Sequence, residues 1–132
     1  MKQRQPQSDA SVASRLVDVA ALQCVAAGFA REREWEQFHS PKNLAMALTG
    51  EVGELVELFQ WLSEEASRRV GHDPVTARKV RDELADVLIY LVRLAAVLEV
   101  DLDEAVRTKL SANALRYPVS RARGNATKYS KL

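Results

Sequence analysis

A chain of 132 residues has room for one domain, and its 47% apolar and 28% charged content suits a globular protein and argues against disorder over most of its length. The formal net charge of +1 provides no overall field to draw in nucleic acid, so any anion must be met by local groups. No stretch reaches the roughly 20 apolar residues of a membrane span, because Arg93 interrupts VLIYLVRLAAVLEV, and the polar start MKQRQPQSDA lacks the apolar core of a signal peptide. The single cysteine, Cys24, has no internal disulfide partner and lies in an apolar run, which predicts a buried thiol; a reducing, cytoplasmic setting fits.

In chain order, residues 1–8 are polar and contain Pro6, so a loose arm is expected there, followed by one all-α domain over 9–117 and a mostly irregular tail over 118–132. From Asp9 or Ser11 to about Arg33, Leu16, Val19, Leu22, Ala26 and Phe29 recur at helical spacing. Ser40 followed by Pro41 is a start signal for a second helix with the stripe Leu44, Leu48, Val52, Leu55, Phe59 and Leu62. On that helix Trp61 would lie two turns, roughly 10 Å, beyond Glu54 on the same face. A loop over Ala66 to His72 precedes a second cap and proline, Asp73 and Pro74, which predict a third helix to about Glu99 with the apolar face Leu84, Val87, Leu88, Leu91, Leu94, Ala95 and Leu98. Asp101 and Glu104 open a fourth helix, Leu102 to about Arg116, stopped by Pro118. No strand-like alternation appears, so the pattern predicts an all-α four-helix bundle, and the wide apolar face of the third helix predicts an oligomer.

Two acidic pairs sit inside apolar helical runs: Glu51 and Glu54 in GEVGELVELFQWLSEE, and Glu83 and Asp86 in DELADVLIY. Each pair shares a helix face, and anions held close together in such surroundings are costly unless a cation joins them. An acidic run on a helix is ordinarily a solvated face, but two spaced pairs favour oxygen ligation of a hard cation, with Gly50 and Gly53 allowing close approach. Mg²⁺ suits such a site when phosphates complete its shell, whereas zinc would want Cys and His ligands. A di-iron bundle needs two Glu-x-x-His motifs, and only Glu36 to His39 has that spacing.

Trp35 and Trp61 could sandwich a flat heterocycle such as a nucleobase; core packing is the ordinary role for Phe38 and Tyr90. Lys109, Asn113 and Arg116 or Tyr117 share a polar helix face that is either plain surface or a set of groups for a triphosphate. No phosphate-cradling glycine loop is present, so phosphates must be handled by metal and side chains.

The runs WEQFHSPKNLAMALTGEVGELVELFQWL, DELADVLIYLVRLA, VDLDEAV and RYP with a distal KYS closely resemble the dCTP pyrophosphatases among the MazG-like all-α nucleotide pyrophosphohydrolases, over about Phe29 to Lys131. That resemblance implies Mg²⁺-dependent hydrolysis of dCTP and 5-modified dCTP between the α and β phosphates, giving dCMP and pyrophosphate, as nucleotide-pool sanitation. It implies Glu51, Glu54, Glu83 and Asp86 as metal ligands, with Glu54 or Glu51 as the proton acceptor. Trp35, Glu36, Gln37, Phe38 and His39, with Trp61 and Tyr90, would line the base and sugar pocket, and Lys109 and Asn113 would approach the phosphates. It further implies a homotetramer built from dimers, with no nucleic acid polymer or membrane as partner. The alternatives are the same chemistry on dUTP or another non-standard triphosphate, and a non-catalytic helical module that binds a nucleotide or a partner.

Overall fold

The computed structural model describes residues 19–132. The start of the first helix at Asp9 or Ser11, its Leu16, and the arm over residues 1–8 lie outside the described residues. Among the described residues every regular element is helical, so the chain is all-α as its periodicity predicts. It falls into two compact units, Val19–Val100 and Asp101–Leu132.

In the first unit α1 spans Ala20–Glu32, and the chain leaves it through Glu34, held at φ 54° in the left-handed region. A 3-10 turn, Trp35–Phe38, follows at once. Helix α2, Pro41–Glu57, starts as its sequence dictates: the Ser40 hydroxyl accepts from the Asn43 backbone N–H at 3.2 Å, and Pro41 occupies the first turn, where no N–H is needed. The Asn43 side chain donates to the Phe38 carbonyl at 3.0 Å, which ties the aromatic turn to the start of α2.

Helix α2 ends at Glu57, short of the predicted Leu62. The Ser63 hydroxyl accepts from the Ala66 N–H at 3.1 Å and caps a separate helix, α3, Glu64–Arg68, whose first turn carries Glu64 and Glu65. A further 3-10 turn, Val70–His72, fills most of what remains of the expected loop. Asp73 then caps the long α4, Pro74–Val97, by accepting from the Thr76 N–H at 3.0 Å.

Helix α4 is the spine of this unit, with α2 and α1 both packed against it. The fully buried apolar residues are Ala30 from α1, Leu44 from α2, and Val92 and Ala95 from α4, so three helices supply one small core. Val92, at 0% exposure, lies outside the predicted stripe of α4, while Leu84, Leu88, Leu91 and Leu98 of that stripe stand exposed in the single chain. Cys24 is exposed rather than buried. A Cβ built on Gly50 or Gly53 would meet nothing within 4 Å, so no approach within the described chain requires those glycines.

In the second unit α5 spans Leu102–Arg116, capped by Asp101 accepting from the Glu104 N–H at 3.0 Å. A four-residue helix α6, Val119–Ala122, and a 3-10 turn, Tyr129–Lys131, punctuate the tail. Tyr129 packs edge-on against Tyr117 at 5.9 Å between ring centroids and lies beneath the Arg116 guanidinium at 5.0 Å. None of the described helices is long and apolar enough to cross a membrane.

Candidate active site

The packing of α2 on α4 brings the two acidic stretches together. Glu51 from α2 and Glu83 and Asp86 from α4 each offer an oxygen to one cluster in which these atoms lie within 4.8 Å of one another. Glu54, one turn along α2, stands close enough to act on both Glu51 and Glu83. Burial, then the neighbouring charges of Glu54 and Asp86, push the Glu51 carboxyl up to about 7. Burial, then Glu54, push Glu83 up as well. One oxygen of each, Oε2 of Glu51 and Oε2 of Glu83, is buried with no hydrogen-bond partner.

Buried polar atoms are normally paired, and an unpaired pair of carboxylates aimed together calls for a cation. The donor set is oxygen alone, which fits a hard divalent ion and not zinc. The residues present therefore fit the metal that the acidic spacing suggests.

Beside the cluster lies a pocket of about 310 Å³, within the range of small-molecule sites. Helix α1 contributes Leu22, Val25, Ala26 and Phe29, the aromatic turn contributes Trp35 and His39, and α4 contributes Asp86, Ile89, Tyr90 and Arg93. Asp86 belongs to both the acidic cluster and the pocket wall, so the two are one continuous site. Trp35, 44% exposed, is braced edge-on by Phe29 at 5.7 Å between centroids. Arg93 Nε donates to His39 Nδ1 at 3.2 Å, and burial together with the Arg93 charge holds the imidazole below its ordinary pKa.

Other residues of the first unit singled out in the sequence are not gathered here. Trp61 lies beyond the end of α2 at 88% exposure and off the pocket wall, so no sandwich with Trp35 forms within this chain. Glu36 pairs with Arg31 at 3.8 Å on the surface, the Gln37 side chain donates to the Glu34 carbonyl at 2.9 Å, and Phe38 is exposed. Lys109 and Asn113 sit one turn apart on α5, in the second unit.

Conversely, spacing marks Leu22, Ala26 and Phe29 only as an apolar stripe, and it marks neither Val25 nor Arg93 for the site. A lone cation in an apolar run reads as an interruption, and a helical apolar stripe reads as core. Only the position of Arg93, three residues beyond Tyr90 and seven beyond Asp86 on one helix face, could have flagged it.

Residues 47–132 match the MazG-like family, a span that takes in the whole acidic cluster but begins after the Trp35–His39 turn. The chain belongs to the MazG-like family. It is 54% identical to dCTP pyrophosphatase 1 of Mus musculus and 52% identical to that of Homo sapiens, over 106 residues that make up 80% of this chain and 62% of each relative. The MazG-like chain thus spans somewhat under two thirds of the length of the curated relatives it matches. A dATP/dGTP diphosphohydrolase of Cyanophage S-2L is 38% identical over 64 residues, 48% of this chain and 54% of that protein. Among solved structures, the crystal structure of a pyrophosphatase from Archaeoglobus fulgidus is similar, with a TM-score of 0.70 and 34% identity over 89% of this MazG-like chain and 99% of its own. The all-α fold and the family resemblance carried by the acidic runs are both borne out.

Proposed function

We propose that this chain hydrolyses dCTP and 5-modified dCTP at the bond between the α and β phosphates, releasing dCMP and pyrophosphate, with Mg²⁺ held by Glu51, Glu54, Glu83 and Asp86. One observation carries the proposal: Asp86 is shared between a cluster of unpaired carboxylates and a pocket with aromatic walls. A nucleoside triphosphate has that same bipartite chemistry, a flat ring at one end and a metal-binding anion at the other. The relatives named dCTP pyrophosphatase 1 support the substrate.

When bound, the divalent ion supplies Lewis acidity, neutralising phosphate charge and making water more acidic. The chain's own groups do the rest. Trp35 and Tyr90 flank the base, and the apolar residues of α1 exclude water from it. Glu54 or Glu51 takes the proton from the attacking water as it enters in line at the α phosphorus. The exposed leucines of α4 support assembly into a homotetramer built from dimers, and a cytoplasmic setting belongs to the same proposal.

Release of pyrophosphate from each common and 5-modified deoxynucleotide, with Mg²⁺ present, tests the proposal. The expected outcome is the highest kcat/KM on cytosine nucleotides; orthophosphate as first product would overturn the cleavage position. The similarity to a dATP/dGTP diphosphohydrolase supports a second substrate class for the same site, and the same panel decides it. Tight dCTP binding without turnover under any divalent ion would leave a binding module instead.

A further inference from the structure

We propose that Arg93 is a positioning residue for this pocket: by donating to His39 Nδ1 it fixes the imidazole as the Nε2–H tautomer, so that His39 meets a bound base as a hydrogen-bond donor. The inference rests on the nucleotide site proposed above and adds to it a residue that sets which polar edge the pocket accepts.

The geometry is simple. Arginine Nε carries a hydrogen and has no acceptor capacity, so a 3.2 Å contact with His39 Nδ1 requires that nitrogen to be unprotonated. A neutral imidazole must then carry its proton on Nε2. Burial and then the Arg93 charge, against the smaller opposing charge of Glu36, disfavour a second proton and so favour the neutral ring. The partners come from segments 54 residues apart in sequence, the turn before α2 and the later part of α4, so the bond also ties that turn to α4.

No described residue accepts from His39 Nε2, although the ring lines a pocket whose α1 wall is Leu22, Val25 and Phe29. A donor beside apolar walls gains most from a ligand acceptor, which the carbonyl or ring nitrogen of a pyrimidine edge supplies. A base presenting only a donor there would leave two donors opposed. Arg93 therefore acts on selectivity through His39.

The chain has two histidines, His39 and His72, so ¹⁵N-labelled imidazoles are assigned with a single His72→Gln control. In the protein without nucleotide or divalent ion, two-bond ¹H–¹⁵N correlations should show His39 Nδ1 unprotonated and Nε2 protonated. In Arg93→Met the same ring should move to an averaged mixture of tautomers. A proton on Nδ1 in the wild type, or a spectrum unchanged in Arg93→Met, overturns the proposal. The wild-type arm stands even if that variant fails to fold, and it stands or falls apart from any question of turnover.

With dCTP, Arg93→Met should raise KM by roughly ten-fold, the loss of about one hydrogen bond, with kcat changed less than about two-fold. In a His39→Ala background the same change should add nothing further. An additional rise in KM there would show Arg93 touching the ligand directly, and would also overturn the proposal.

Discussion

Glu51 and Glu83 face each other from different helices, and each keeps one carboxylate oxygen out of water with nothing to bond it. Added Mg²⁺ should therefore raise the melting temperature. At a hundred times its dissociation constant the gain is about 2.7 kcal/mol. Asp86→Asn and Glu83→Gln should lose that response and pyrophosphate release together while the metal-free fold holds. Thermal melts with Mg²⁺ and with a chelator check it.

The same cluster makes metal-free stability depend on pH. Glu51 titrates near 7 in the folded chain against an ordinary value of 4.5, so between those values the folded state binds more protons than the unfolded one. Stability from this group is complete below about 4.5, falls as pH rises, and levels off above 7. Urea melts across this range should show the decline, and Glu51→Gln should flatten it. With Mg²⁺ present the trend should reverse, since the ion competes with the proton and binds better as pH rises through 7.

Trp35 is half exposed, with Phe29 packed edge-on and His39 at a tilt against it, so Trp35→Ala should leave the fold intact while weakening base stacking. At about 1–3 kcal/mol per stacked base, KM should rise roughly 5- to 150-fold with a smaller change in kcat. Trp61→Ala serves as the comparison. If the site is complete within one chain, steady-state kinetics should not change; a matching rise in KM would mean that a second copy delivers Trp61 to the pocket.

Two substitutions test the frame that holds the site. Ser40→Ala removes the cap of α2 and should cost about 1 kcal/mol. Leu44→Ala empties a position only 1% exposed and should cost about 2–5 kcal/mol. Chemical denaturation midpoints read both, and the larger loss should belong to Leu44.

Much of this was legible before any coordinates. Ser40–Pro41, Asp73–Pro74 and Asp101 mark helix starts because capping is a local, short-range preference, and all three cap as expected. Glu51 meets Glu83 and Asp86 because each is registered on its own helix and the helices pack, with Glu54 one turn along from Glu51. What stayed hidden depends on where the chain turns. Phe59 and Leu62 keep the apolar spacing of α2 going on paper, but Ser63 with Glu64 and Glu65 starts a new helix, and Trp61 is carried off the expected face. The bond between Arg93 and His39 joins distant segments, and no periodicity within either announces it.

Because Asp86 belongs to both the acidic cluster and the pocket wall, an ion and a base seated in the proposed site would not be recognised independently. Whatever factor a seated nucleoside contributes to the grip on the cation, the cation returns to the nucleoside. Fragments carrying only one half of the substrate should thus bind far more feebly than their individual contacts would suggest, and short bridging molecules with a flat head and an anionic tail are the natural starting point for inhibitors.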